Sequence, residues 1–108
     1  VMIFNTFTIS RYKLINLLNA TKKNEKVKIK NLTGLHLRPA NVLCDTAVQY
    51  RSKVTFQKEN TISNAKSLLS VLGAKVKFGD ELEFICEGED ETEALEAIIQ
   101  AVESGLGD

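Results

Sequence analysis

Three short stretches alternate apolar and polar side chains with a period of two, and they restrict this chain more than any other feature. Lys26-Val27-Lys28-Ile29-Lys30, Lys53-Val54-Thr55-Phe56-Gln57 and Glu81-Leu82-Glu83-Phe84-Ile85-Cys86-Glu87 each place most of their apolar residues on one face and their polar residues on the other. Successive side chains of a strand point to opposite sides of a sheet, so each stretch predicts a strand with one buried and one solvated face. Strands of this kind suit one mostly antiparallel sheet with every helix packed on the same side. Thr61-Ile62-Ser63 reads as a further short strand. Lys58-Glu59-Asn60 before it supplies an asparagine suited to a left-handed turn, so the second and third strands should form a hairpin.

Between the strands the period changes to that of a helix. Ala40, Leu43, Cys44, Ala47 and Val48 recur at helical spacing until about Tyr50, and Leu68, Leu69, Val71 and Leu72 make a brief helix with Ser67 as its N-cap and Gly73 near its end. Asp90 is placed to cap a last helix whose first turn is acidic and whose Ala94, Leu95, Ile98, Ala101 and Val102 form an apolar stripe ending at Gly105. The order is βαββαβα. If the first and last strands pair, Lys26, Lys28 and Lys30 become neighbours of Glu81, Glu83 and Glu87 on the solvated face. Exposed pairs of that kind stabilise by only ~0.2–1 kcal/mol each, so they select register more than they hold the fold.

The segment Gly34-Leu35-His36-Leu37-Arg38-Pro39-Ala40 contains the only histidine and the only proline of the chain. Proline is tolerated in the first turn of a helix, where its missing N–H costs least, so His36 falls at or just before a helix N-terminus. Unpaired N–H groups and the positive end of the helix dipole favour an anion there. That environment suits a neutral, nucleophilic imidazole, with Arg38 two residues on to hold phosphate oxygens.

At 108 residues, with a formal net charge of zero and no Trp, the chain is large enough for one core and carries no general sign of nucleic-acid binding. An RNA-binding sheet would need exposed aromatics and a positive face, whereas this outer face mixes Lys and Glu, with Ile85 its one clear apolar residue. A free-standing hydrolase built on His36 lacks a supporting acid, base or oxyanion partner. The charge is unevenly placed: residues 1–24 carry Arg11, Lys13, Lys22 and Lys23 with no acid, while residues 25–108 carry 10 basic and 14 acidic side chains. We therefore expect a basic N-terminal extension, residues 1–24, before a single domain, residues 25–108. In the extension Ile3, Phe4, Phe7 and Ile9 look β-like, and Ser10 is placed to cap a helical turn or two carrying Leu14, Ile15, Leu17 and Leu18; a frayed tail or transit-like peptide fits equally. Val1 ahead of Met2 raises the further expectation that the natural chain starts later. Cys44 and Cys86 sit far apart in apolar patterns and read as buried free thiols, which with the absence of a membrane-length apolar run or a secretory signal points to the cytoplasm.

With the order of elements in hand, Gly34–Ala40 resembles the active-site motif of HPr, the family of histidine-containing phosphocarrier proteins of the bacterial phosphoenolpyruvate-dependent sugar phosphotransferase system. Lys66-Ser67-Leu68-Leu69 is similar to the family's regulatory serine and the short helix after it, and βαββαβα is the family's open-faced sandwich. The resemblance covers residues 25–108. It implies that His36 accepts a phosphoryl group on Nδ1 from phosphorylated Enzyme I and passes it to sugar-specific Enzyme II A components, with Arg38 stabilising the phosphate and Thr33 offering a hydroxyl. It further implies a monomer that needs no cofactor or metal, does not insert in a membrane and docks its partners through Leu37, Leu68, Leu69 and Leu72. Two of those leucines have an equally good reading as core. Ser67 is phosphorylated by an HPr kinase/phosphorylase in some members and only caps the helix in others. A regulatory paralogue whose phosphorylation state is the signal fits the same motif. Where Lys75 stands, the family often has glycine.

Overall fold

A computed structural model describes residues 22–108, and the expected elements of the N-terminal extension up to residue 21 lie outside the described residues. The elements are β1 (Lys23–Lys28), α1 (Leu37–Val48), β2 (Lys53–Lys58), β3 (Thr61–Asn64), α2 (Leu68–Gly73), β4 (Glu81–Glu87) and α3 (Glu91–Glu103). The four strands form one antiparallel sheet in the order β1-β4-β2-β3, the α+β, βαββαβα arrangement the alternation predicts. Among the described residues no helix is long and apolar enough to cross a membrane.

The period-two faces sort as expected. Val54, Phe56, Leu82, Phe84 and Cys86 are fully buried beneath the helices, while Lys53 and Glu81 point to solvent. Phe56 and Phe84 lie directly opposite each other in the β2–β4 register, with ring centroids 5.6 Å apart and planes at 49°. A tilted aromatic pair of this geometry adds roughly 0.5–1.5 kcal/mol beyond its buried area. From the helices, Ala40, Leu43 and Ala47 of α1, Val71 of α2, and Ala94, Ile98 and Val102 of α3 complete the core. The alanines matter to this packing because a short side chain lets a helix lie close to the sheet.

Four local expectations need correction. The first strand runs Lys23–Lys28 and stops before Ile29, whose N–H donates to Asp80 O and whose carbonyl accepts from Gly79 N, each at 2.9 Å. Lys26 and Lys28 do face Glu83 and Glu81, but Lys30 is past the strand, and Glu87 instead faces Lys53 across the β2–β4 register and pairs with Lys22 at 3.4 Å. In the β2–β3 turn the left-handed residue is Glu59, φ +54, because a two-residue connection imposes positive φ on its first central position and Asn60 stands second. Asp90 occupies the N-cap position of α3 without making a side-chain cap. Its carboxylate reaches across to the start of β2, where it accepts from Arg51 N and Ser52 N at 2.9 Å each and from Ser52 Oγ at 2.5 Å. These bonds, that from the Ser52 hydroxyl foremost, hold the Asp90 carboxyl down to about 2. The outer face also carries a second apolar residue, Ile62, which is exposed opposite Gln57.

Cys86 is buried and Cys44 half-buried, both as free thiols. Burial pushes the Cys86 thiol up to about 11, which makes it a packing residue with almost no thiolate.

Candidate functional site

His36 sits where strand chemistry hands over to helix chemistry. Its backbone is extended, φ −75 and ψ −174, while its carbonyl already accepts the first helical bond, from Ala40 N at 2.9 Å. It is therefore the N-cap of α1. Leu37 and Arg38 are the first two helical residues, so their N–H groups have no intrahelical acceptor, and Pro39 in third place has none to satisfy. Among the described residues no side chain caps this end, and no acidic residue lies in the first turn. The positive end of α1 is left to whatever approaches it, beside a half-exposed imidazole.

The approach to His36 is held by the backbone. Gly34 adopts φ +73, and a Cβ at this position would overlap Val76 O; only glycine allows the loop to lie against the Val76–Asp80 turn. Two bonds then pin the loop, Gly34 N to Asn31 O at 2.9 Å and Leu35 N to Val76 O at 3.1 Å, and Leu35 is buried in the core. That turn is itself anchored. Asp80 accepts from Lys77 N at 2.8 Å and pairs with Lys58 Nζ at 3.2 Å, and the backbone bond from Lys77 holds its carboxyl below the usual carboxylate range, with Lys58 adding to it. Lys58 Nζ also donates to Lys75 O at 3.0 Å, at the carbonyl end of α2. The loop at Lys75 keeps the left-handed conformation a glycine would favour, φ +53.

The remaining sequence candidates are distributed around this point. Arg38 is exposed, and among the described residues its guanidinium makes no ion pair, which leaves it available to an incoming anion. Thr33 is exposed in the turn before Gly34. Leu37 and Leu69 stand out to solvent, 57% and 84% exposed, whereas Leu68 and Leu72 are half-buried against the core, so the four leucines divide into two that face out and two that pack. α1 and α2 pack against each other, which places the exposed leucines on neighbouring elements. Ser67 caps α2, its Oγ accepting from Ser70 N at 3.2 Å.

Two residues at the site escaped the sequence reading. Asp108 Oδ2 lies 3.6 Å from His36 Nε2, and Asn31 Nδ2 donates to the same oxygen at 2.7 Å and to Gly105 O at 2.9 Å. No local pattern signals them, because they are 77 residues apart and meet only when α3 lies across the sheet.

The amino-acid sequence that builds this helix end and this sheet matches a known family. The profile of the PTS HPr component phosphorylation site covers residues 23–104. The chain belongs to the HPr family of phosphocarrier proteins. Residues 23–104 thus form the family's phosphorylation-site domain. The HPr-like protein Crh of Bacillus subtilis is 37% identical over 79 residues, 73% of this chain and 93% of that protein. The multiphosphoryl transfer protein of Haemophilus influenzae is 37% identical over 83 residues, 74% of this chain but 17% of that protein, so the chain spans less than a fifth of that longer relative. Among solved HPr structures, the crystal structure of HPr-C-His from Thermoanaerobacter tengcongensis is similar with a TM-score of 0.77 at 37% identity, over 80% of this chain and 97% of that one.

Proposed function

We propose that this HPr-family chain serves a phosphoenolpyruvate-dependent sugar phosphotransferase system as a cytoplasmic monomer, its carrier domain spanning residues 25–108. His36 accepts a phosphoryl group from phosphorylated Enzyme I and delivers it to sugar-specific Enzyme II A components. The observation that carries the reading is the N-terminus of α1, where His36 is the N-cap, the first-turn N–H groups lack intrahelical acceptors, and Arg38, exposed and without an ion pair among the described residues, is the second helical residue.

The chemistry follows from that placement. The Nδ1 lone pair forms a bond to phosphorus while the bond from phosphorus to the donor breaks, its electron pair leaving with the donor; delivery to the acceptor is the same exchange in reverse. Phosphoryl transfer asks mainly for alignment and for stabilisation of charge on the three equatorial oxygens. The N–H groups of Leu37 and Arg38 and the Arg38 guanidinium serve those oxygens, with the Thr33 hydroxyl as a further donor. Leu37 and Leu69 give a partner apolar surface beside the reacting ring, with Leu68 and Leu72 supporting it from below.

Incubation with Enzyme I and phosphoenolpyruvate, followed by intact mass measurement, tests this directly. The expected result is one acid-labile phosphate, absent in His36→Ala; an unmodified wild-type chain would sink the carrier reading.

A second reading has its own support in the similarity to Crh and in Ser67 at the N-cap of α2. Here the chain is a regulatory paralogue controlled by phosphorylation at His36, Ser67 or both, with an HPr kinase/phosphorylase acting on Ser67. A phosphate on Ser67 is tolerated by the helix end it caps and adds negative charge near the exposed Leu69. An ATP-dependent, acid-stable phosphate that is lost in Ser67→Ala marks this reading; the plain cap takes no such modification.

A further inference from the structure

We infer that Lys58 and Asp80 form a latch that fixes α2 and the loop before His36 relative to each other, and that Lys58 is thereby a positioning residue for the exchange of the phosphoryl group with partner proteins. The inference rests on the reading of His36 as phosphoryl acceptor and of Leu69 as partner surface. Its starting point is a conflict in the period of β2. Val54, Phe56 and Lys58 share the inward face of that strand; the first two are fully buried, and the Lys58 side chain is 22% exposed. An apolar residue there would extend the core. A lysine must instead bring partners for its charge, and the ammonium has one acceptor for each of its three hydrogens: Asp80 Oδ2 at 3.2 Å, Lys75 O at 3.0 Å and Ala74 O at 3.5 Å. Replacing a half-buried ion pair by apolar side chains is often neutral or stabilising, so folding alone gives lysine no advantage at this position.

What the lysine does achieve is a connection. Ala74 and Lys75 follow directly on α2, the helix that presents Leu69, so two of the three bonds hold the carbonyl end of that helix. The third holds the turn that follows. Within that turn Asp80 Oδ2 accepts from Lys77 N at 2.8 Å and Asp80 N donates to Lys77 O at 3.1 Å. The turn in turn carries the segment leading to His36: Asp80 O accepts from Ile29 N at 2.9 Å, Val76 O accepts from Leu35 N at 3.1 Å, and Gly34 lies against Val76 and Lys77. One ammonium thus stands between the helix that offers apolar surface and the loop that places the reacting ring. With the latch closed, a partner meets both already in place; with it open, the partner must order them on binding, which weakens association.

Two measurements on Lys58→Met, which keeps the apolar stem and removes the ammonium, test the latch. By hydrogen exchange, the Ile29 and Leu35 amides should exchange about fivefold faster than in the parent, and by steady-state transfer the KM of phosphorylated Enzyme I for the chain should rise about fivefold with kcat changed by less than about twofold, the size expected for one partly exposed ion pair. The kcat is spared because Arg38 and the first-turn N–H groups belong to α1, whose own bonds do not pass through Lys58. Lys58→Arg, which keeps charge and donors, should restore both values. Asp80→Asn, which keeps an acceptor for Lys77 N, should raise KM in the same direction. A purely structural lysine would speed exchange of the central β4 amides as much as that of Leu35 and leave KM unmoved, and either result overturns the inference. Should the wild-type chain take no phosphate, the carrier reading falls and the positioning role with it, while the exchange comparison, which needs no donor, still decides whether the latch holds the loop.

Discussion

Residue by residue, the site depends on side chains whose own neighbours leave them free. Arg38 is the clearest case, since it is exposed and its charge is unspent among the described residues. Arg38→Ala should slow transfer onto His36 by at least about tenfold, the loss of one charged donor to the transferring oxygens, with the thermal unfolding curve unmoved. Equal transfer rates would remove Arg38 from the mechanism. Lys75 shows the opposite relation between residue and backbone: it holds φ +53 with an L side chain. Left-handed backbone costs a non-glycine residue ~1–2 kcal/mol, part of which glycine returns as lost chain entropy, so Lys75→Gly should raise stability by about 0.5–1 kcal/mol. Urea denaturation checks this, and a destabilised variant would mean that the Lys75 side chain makes a contact worth more than the strain. Both Arg38 and the family departure at Lys75 were visible in the sequence, because each is a local matter of residue type at a fixed distance from His36 or from α2.

Among the elements, α2 is the most dependent on its context. Six residues are too few for a helix to be stable by itself, so it is held by Val71 in the core, by Lys58 at its carbonyl end and by Ser67 at its amino end. Ser67→Ala removes the cap, and a loss of about 1 kcal/mol by denaturant unfolding is expected, together with weaker partner binding as Leu69 loses its fixed presentation. A variant as stable as the parent would show that the cap contributes nothing and leave modification as the only role for Ser67. The strands and helices themselves were legible because their periods are strict. Where the reading slipped, at Glu59 in place of Asn60 and at the Asp90 carboxylate, the cause was a tertiary partner: the hairpin register in one case and the N–H groups of Arg51 and Ser52 in the other.

At the scale of the whole molecule, the Asp90 link ties the start of α3 to the start of β2, two elements that meet at one end of the sheet. Its carboxyl is held at about 2, below its value in the unfolded chain, so the unfolded state takes up a proton first as pH falls. The contribution is therefore complete above the ordinary carboxylate range near pH 4 and is lost as pH falls towards 2. Asp80, shifted in the same direction, loses its contribution on the same side of that range. Melting temperatures of wild type and Asp90→Ala should differ most above about pH 4 and converge towards pH 2. A difference that stays constant across that interval would mean that the Asp90 bonds do not depend on its charge.

Sequence alone determined the one-sided sheet, the order βαββαβα and the position of His36 at a helix start, since each follows from side-chain period or from the backbone limits of glycine and proline within a few residues. Tertiary structure decided which leucines remain exposed, where the Asp90 carboxylate is spent, and that Asp108, bonded to Asn31, lies beside the His36 ring. Those contacts join parts of the chain 38 to 77 residues apart or depend on how one short helix is rotated against the core, and neither relation leaves a periodic or local trace.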